Sequence, residues 1–271
     1  MLSKELCEKT LKRVPTISAP GPSGLRGAHL RTLISQSFDL SILAKVLSKI
    51  ANGKGPDWLR DARLIAIPKA NGGARPIAIG EILRRLSATA LNEIFLKSEQ
   101  NHLTNQLAVL NDGALLGAYV IKDRLNSGDS LVMLDTNNAF NSLLRKKQLN
   151  SVGNTMLSKY TEWAYRRHSN LHVGEGLVIL SQRGVQQGDP LGMTLFCLTM
   201  ADPLKQVASH HKNVRILSYA DDIYVLGSIA YVDRCVLELE EELDVCGLSL
   251  NSNKSTVWPI LRSDTEPDCS E

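Results

Sequence analysis

Apolar positions recur along the chain at two spacings, and the wider spacing predicts helices. Apolar residues three or four positions apart are typical of a helix with one buried face. Helices are predicted over residues 4–13, 25–51, 81–101, 115–126, most of 143–168, 190 to about 209, and 231–245. Gly247 follows the last of these and is typical of a helix end.

Short apolar runs between the helices predict strands. These runs cover residues 62–68, 75–79, 131–134, 171–173, 177–180, both sides of 219–222, and 255–258. Glycine-rich turns at 71–73 and 174–176 join two pairs of them into predicted hairpins. Hairpins mixed with helices indicate an α+β fold rather than a doubly wound sheet. The polar tail from Ser263 is expected to fray.

Composition narrows the class of protein. The 271 residues are 43% hydrophobic and 22% charged, which is typical of a globular protein. We expect no membrane association, because no apolar run approaches the roughly 20 residues that span a bilayer. Five scattered cysteines without a CxxC pair favour a reducing, intracellular compartment and argue against a zinc module.

The net charge of +3 conceals a gradient along the chain. Residues 1–110 contain 16 basic and 8 acidic residues, whereas residues 228–271 contain 3 basic and 10 acidic residues. A basic N-terminal half suits a polyanionic partner such as nucleic acid. Solvated helix faces explain the same charges equally well.

Two adjacent carboxylates, Asp221 and Asp222, lie between apolar runs. Burying two like charges is costly unless a cation compensates them, which indicates a divalent metal. Asp135 ends another apolar run and can join them if the strands are neighbours. Adjacent strand residues point to opposite faces, so Asp221 is the better direct ligand unless the tip of the hairpin is a turn. The alternative is that these aspartates are turn residues or helix caps.

Five segments resemble, in the family's order, the motifs of reverse transcriptases, especially those of non-LTR (LINE-type) retrotransposons. The segments are Leu64–Arg85, Asp135–Ser142 (DTNNAFNS), Gln187–Gly192 (QGDPLG), Tyr219–Asp222 (YADD) and Gly247–Lys254 (GLSLNSNK). The resemblance spans roughly residues 20 to 258 and implies an RNA-directed DNA polymerase that uses an RNA template, a DNA primer and dNTPs. It also implies nuclear action if the mobile element is active.

The resemblance implies the fingers and palm of a right-hand polymerase, with an antiparallel palm sheet packed on helices. We expect fingers over residues 1–130, with interleaved helices and a hairpin over 144–183. The palm is expected over 131–143 and 184–260, and the polar tail over 261–271. Only 17 residues follow Lys254, too few for a thumb. We therefore expect the thumb to be missing and a thumb and endonuclease to be encoded elsewhere or lost.

The resemblance also implies a catalytic centre. Asp135 and Asp221, with Asp222 beside them, would hold two Mg²⁺ ions, with Mn²⁺ as an alternative. Such ions activate a hydroxyl group and stabilise a leaving pyrophosphate. Lys254 would protonate that pyrophosphate, although a lysine in a polar loop is usually only solvated.

Nucleotide-binding residues follow from the same resemblance. Lys69 and Arg75, on either side of a tight turn, would bind the triphosphate. Phe140 would lie under the sugar and select deoxynucleotides. Gln187 and Gly188 would approach the base or sugar closely. The alternatives are solvated cations, a core phenylalanine and a loop that begins a helix.

Arg84 and Arg85 would contact the template backbone, or would pair with acidic residues in the fold; the sequence does not separate these. At the level of function, the alternative is a non-catalytic nucleic-acid-binding remnant or domesticated scaffold. A nucleotide cyclase is a weaker third interpretation, because it leaves the 64–85 hairpin and the Gln187-Gly188 motif unexplained.

Overall fold

The computed structural model describes residues 2–36, 38–70, 72–103, 105–174 and 176–258. The α-helices are α1 (Lys4–Arg13), α2 (Gly27–Ser35), α3 (Leu40–Ala51), α4 (Ile82–Ser98), α5 (Gly113–Asn126), α6 (Ala139–Ser142), α7 (Arg145–Ser151), α8 (Ser158–Tyr165), α9 (Gly192–His210) and α10 (Ile229–Val245). The strands are β1 (Ala62–Pro68), β2 (Ala74–Gly80), β3 (Ser130–Leu134), β4 (Ser169–Val173), β5 (Leu177–Ser181), β6 (Arg215–Tyr219), β7 (Asp222–Gly227) and β8 (Thr256–Trp258). Short 3₁₀ helices cover Asp57–Arg60 and Gln100–His102. The mixture confirms the α+β class.

The prediction of one helix over 25–51 is wrong. The chain leaves the helical conformation after Ser35, and α3 begins at Leu40. Asp39 caps α3, because its side chain accepts a 2.8 Å hydrogen bond from the backbone N–H of Ser41. An N-cap residue takes an extended backbone, so a helix that starts there cannot continue the preceding one.

The chain divides into two compact units. The first unit comprises residues 1–104 and 138–202, and its sheet has the order β2-β1-β4-β5. The hairpins β1–β2 and β4–β5 are antiparallel, whereas β1 and β4 pair in parallel over two residues, with Ala62 opposite Leu171. Helices α3 and α4 pack together and bury Leu47 and Phe95 completely.

The second unit comprises residues 105–137 and 203–271. Its sheet has the order β6-β7-β3-β8, and every neighbouring pair is antiparallel. Helix α5 packs on a buried cluster that includes Leu131 and Leu226. Helix α10 contacts β7 and β3 and buries Leu239 and Leu243. The central strands are therefore apolar, as their sequences predicted.

Parts of two predicted turns and the predicted tail lie outside the residues that the structure describes. Asn71 and Glu175, within the two predicted glycine-rich turns, and the polar tail lie outside the described residues. The predicted bounds of fingers and palm stay a prediction. None of the described helices is both long enough and apolar enough to cross a membrane.

Candidate functional site

Asp135 and Asp222 lie at the same end of two paired strands. The antiparallel register places Leu134, the last residue of β3, opposite Ile223 of β7. Asp135 follows Leu134 directly, and Asp222 precedes Ile223. Strands β3 and β7 are neighbours in the sheet of the second unit, which is the arrangement that the sequence analysis required for Asp135 to lie near Asp221 and Asp222.

The tip of the β6–β7 hairpin is a two-residue turn. Tyr219 pairs with Asp222, so Ala220 and Asp221 form the turn between them. Ala220 has a left-handed φ of 58°, which is unusual for a residue with a Cβ atom. The Ser218 hydroxyl donates a 3.0 Å hydrogen bond to the Ala220 carbonyl and supports this conformation. Because Asp221 lies in a turn, strand alternation does not rank it above Asp222.

The charges at this end of the sheet act on one another. Burial raises the pKa of Asp222, and the negative charges of Asp221 and Asp135 raise it further. Lys254 opposes this shift, and its Nζ lies 3.5 Å from Oδ1 of Asp135. Three carboxylates and one ammonium group therefore share one electrostatic environment.

A polar loop after α10 holds the Asp135 segment through its backbone. The N–H of Asn251 donates to the Asp135 carbonyl at 2.8 Å, and the N–H of Asp135 donates to Oγ of Ser255 at 3.2 Å. The N–H of Asn137 donates to the Ser249 carbonyl at 2.8 Å. These bonds bring Lys254 to Asp135. The sequence analysis gave no role to Ser249, Asn251 or Ser255, although the first two lie in the Gly247–Lys254 segment that resembles a family motif.

The donor set at this end fits a hard divalent cation that also takes ligands from water and substrate. In the part of the chain that the structure describes, no three His, Cys, Asp or Glu side chains form a group that could hold a metal ion. Mg²⁺, however, typically takes only one or two carboxylates and completes its shell with water and phosphate oxygens. Asp135, Asp221 and Asp222 supply carboxylate oxygens of that type.

The two cations predicted to bind a triphosphate lie on the β1–β2 hairpin of the first unit. Arg75 is opposite Ile67 in the β-ladder, and Lys69 follows β1 directly. The N–H of Lys69 donates to the Gly73 carbonyl at 3.1 Å and closes the turn. Both side chains are exposed, and neither forms an ion pair with a described residue. The predicted hairpin is confirmed, and the role of the cations stays a prediction.

Gly188 allows a close approach, but the approach is to β2. The N–H of Ala78 donates to the Gln187 carbonyl at 2.7 Å. Gly188 has a φ of 123°, and a Cβ atom there would lie 2.4 Å from the Ala78 carbonyl oxygen. This glycine is therefore required by backbone packing within the first unit, whereas we expected it to approach a base or sugar.

The assignment of Arg84 to template binding is wrong. Its side chain is 2% exposed, and its Nη2 lies 2.7 Å from Oδ2 of Asp189, whose side chain is 1% exposed. Its Nη1 donates to Oε1 of Gln186 and to the Arg60 carbonyl, each at 2.8 Å. Tyr165 also donates to Asp189, at 2.7 Å. A buried cation with these partners cannot reach a nucleic acid, and of the two alternatives the acidic partner is the one observed.

Arg85 and Phe140 are both partly buried. The Nη1 of Arg85 donates to the Ala19 carbonyl at 3.0 Å, and burial lowers the pKa of this guanidinium group. The ring of Phe140 stacks on Phe196, with 4.5 Å between centroids and 25° between planes. Phe140 thus has the packing of a core residue on one side and retains partial exposure.

The predicted site residues divide between the two units. Asp135, Asp221, Asp222 and Lys254 lie together in the second unit. The remaining predicted residues lie in the first unit: Lys69, Arg75, Arg84, Arg85, Phe140, Gln187 and Gly188.

Comparison with protein families gives the class of the chain. The sequence pattern of the family described as reverse transcriptase (RNA-dependent DNA polymerase) matches residues 67–262, which is more than half of the chain. The chain belongs to the reverse transcriptase family. This confirms the resemblance on which the site residues were assigned.

Similar curated proteins come from retrotransposable elements. The chain is 26% identical to the Pol polyprotein from the type-1 retrotransposable element R2 of Nasonia vitripennis, over 97% of this chain and 27% of the relative. It is 24% identical to the retrotransposable element SLACS 132 kDa protein of Trypanosoma brucei gambiense, over 95% of this chain and 23% of the relative. The chain is also 26% identical to the Pol polyprotein from the type-2 retrotransposable element R2DM of Drosophila melanogaster, over 89% of this chain and 25% of the relative. This reverse transcriptase chain, of the non-LTR retrotransposon type, spans about a quarter of the length of these relatives.

Proposed function

We propose that the chain carries out RNA-directed DNA synthesis for a mobile element, by joining a primer 3′-hydroxyl to an incoming dNTP with release of pyrophosphate. The observation that carries the proposal is the group of three carboxylates at one end of the β3–β7 pair, with Lys254 beside Asp135. Membership of the reverse transcriptase family supports the choice of reaction. An active element would use this activity inside the cell, in the nucleus.

Asp135, Asp221 and Asp222 would hold two Mg²⁺ ions, or Mn²⁺ in their place. Bound there, the ions would activate the attacking hydroxyl group and stabilise the leaving oxygen. Burial and the negative charges of Asp221 and Asp135 raise the pKa of Asp222, and a bound cation would relieve the repulsion among these charges. The Lys254 ammonium group neutralises part of the carboxylate charge and carries a proton that it can donate to pyrophosphate.

Residues of the first unit would bind the nucleotide. Lys69 and Arg75 are exposed cations on an antiparallel hairpin, and such cations suit charge-assisted binding of a triphosphate. The stack of Phe140 on Phe196 fixes the Phe140 ring, and a fixed ring can exclude a ribose 2′-hydroxyl. The hydrogen bond from Ala78 fixes the backbone of Gln187.

Primer extension on an RNA template with Mg²⁺ tests the proposal. We expect Asp221→Asn to lower the rate of dNTP incorporation at least about 100-fold, because it removes a charge that holds the metal. Asp244→Asn, which removes an exposed carboxylate of α10, is the matched control and should retain the wild-type rate. Equal incorporation by wild type and Asp221→Asn would reject the assignment.

The basic N-terminal half favours one alternative, a non-catalytic nucleic-acid-binding scaffold. It predicts salt-dependent RNA binding without any extension, even when a thumb is supplied in trans or by fusion. The same primer-extension assay therefore separates the two functions.

A further inference from the structure

Two adjoining clefts lie in the first unit, where the loop of residues 52–55 meets α3 and α8. Their volumes are about 320 and 780 Å³. They share Asn52, Gly53 and Lys159 as lining residues and therefore form one continuous groove. We call it the basic groove, after the cations Lys45, Lys49, Lys54, Lys159, Arg166 and Arg167 that line it.

The basic groove has an excess of positive charge. Its only acidic lining residues are Asp57 and Glu162, and each is already paired with an arginine, Arg60 and Arg166 respectively. The lysines and Arg167 form no ion pair with any residue that the structure describes. Unpaired cations gathered in one concave surface attract a ligand with several negative charges.

The wall of the groove is rigid rather than a set of loose side chains. Gly53 packs on α8 so closely that a Cβ atom would lie 2.4 Å from the Lys159 carbonyl oxygen. The indole Nε1 of Trp163 donates a 2.7 Å hydrogen bond to the Gly55 carbonyl. These contacts fix the loop against α8. Lysines 45 and 49 are one helical turn apart on α3, about 6 Å along its axis.

Arg60 supplies a second, independent sign of an anion site. It lines the groove and is only 8% exposed, and its Nη2 lies 3.2 Å from Oδ1 of Asp57. Its Nε has no hydrogen-bond acceptor among the described residues. An unsatisfied buried donor is costly, and an anionic group in the groove would offset part of that cost by interacting with the guanidinium charge.

We propose that the basic groove binds the sugar–phosphate backbone of a nucleic-acid strand, through residues other than those assigned to nucleotidyl transfer. A series of cations along a groove matches a chain of phosphates, whereas a single small anion would use only two or three of them. Phosphates are the same in every sequence, so we expect this binding to be independent of sequence. This interaction does not require the proposed polymerase activity.

The test measures binding of labelled 20-nucleotide RNA, single-stranded DNA of the same sequence, and duplex DNA by fluorescence anisotropy. EDTA is present, so that a failure of catalysis does not affect the result. The test variant is Lys45→Gln/Lys49→Gln/Lys54→Gln. The matched control, Lys122→Gln/Lys205→Gln/Lys212→Gln, also removes three exposed lysines but lies outside the groove. Melting temperatures confirm that both variants fold.

We expect the dissociation constant of the test variant to rise about tenfold or more at 0.1 M salt, with a salt dependence shallower by about two in log–log slope. The control should change by less than about twofold. If the test variant loses affinity for one nucleic acid alone, that form is the ligand of the groove. If it loses affinity for both RNA and single-stranded DNA, the groove recognises the sugar–phosphate backbone that they share. Equal losses in the two variants, or none in the test variant, would overturn the proposal.

Discussion

The carboxyl group of Asp222 has a raised pKa, because burial and the charges of Asp221 and Asp135 disfavour its ionised form. Between the lower pKa of the unfolded chain and the raised pKa of the folded protein, the folded protein still holds a proton that the unfolded chain has released. The free energy of unfolding therefore falls as the pH rises through this range. Because the Asp222 side chain is exposed, solvent screens much of this repulsion. We therefore predict that Asp222→Asn raises the melting temperature at pH 7, without metal, by only about 1 °C. Below about pH 4 the carboxyl group is protonated in both states, and the gain should disappear. Thermal unfolding across this pH range measures both effects.

Two controls separate this repulsion from a general effect of removing charge. Asp233→Asn removes an exposed carboxylate of α10 and should leave the melting temperature unchanged. Millimolar Mg²⁺ should stabilise the wild type more than Asp222→Asn, because a ligand that binds the folded state stabilises it. A lower melting temperature for Asp222→Asn at pH 7 would show that the carboxylate is stabilising, contrary to the prediction.

The sequence identified residues whose chemistry is unusual for their surroundings, but it did not reveal burial. Asp135, Asp221 and Asp222 interrupt apolar runs, and the structure places them together in the second unit. Arg84 was misassigned because its partner, Asp189, lies 105 positions away, and no local pattern connects them. A cation in a predicted helix looks the same to sequence analysis whether it faces solvent or a buried carboxylate.

The contact between strand β2 and the segment before α9 depends on Gly188. A Cβ atom there would lie 2.4 Å from the Ala78 carbonyl oxygen, and the φ of 123° is unfavourable for any other residue. We predict that Gly188→Ala lowers the free energy of unfolding by about 3 kcal/mol or more, because collision adds to backbone strain. Urea unfolding with tryptophan fluorescence measures the loss.

Gly72→Ala separates these two contributions. Gly72 also has a positive φ, of 82°, but a Cβ atom there would meet nothing within 4 Å. Strain alone should cost about 1–2 kcal/mol. If the two variants lose equal stability, the approach to Ala78 contributes nothing and the role assigned to Gly188 is wrong.

Most elements could be predicted, because their periodicity is strong, and so could the pairing within hairpins, but the pairing of distant strands could not. The β1–β2 and β6–β7 hairpins follow from apolar runs joined by tight turns. The parallel pairing of β1 with β4 joins residues more than 100 positions apart and leaves no sequence signal. The end of α2 at Ser35 and the new start of α3 at Leu40 were missed because apolar spacing continues between the helices, and Asp39 alone marks the new helix.

At the scale of the whole molecule, the charge gradient governs encounter with a polyanion. The basic groove accounts for several cations of the N-terminal half, whereas α10 contains much of the acidic excess. The net charge of +3 is the small remainder of these opposing contributions. Long-range steering depends on the summed field and is screened within about 10 Å at 0.1 M salt.

Neutralising exposed acids of α10 should therefore accelerate RNA binding without any new contact. Glu240→Gln/Glu241→Gln/Asp244→Asn adds three units to the net charge of +3. We predict that the association rate constant for a 20-nucleotide RNA, measured by stopped-flow anisotropy in EDTA, rises about threefold at 0.02 M salt. At 0.5 M salt the variant and the wild type should be equal, because screening removes the long-range field. A gain that persists at 0.5 M salt would mean that α10 contacts the RNA directly.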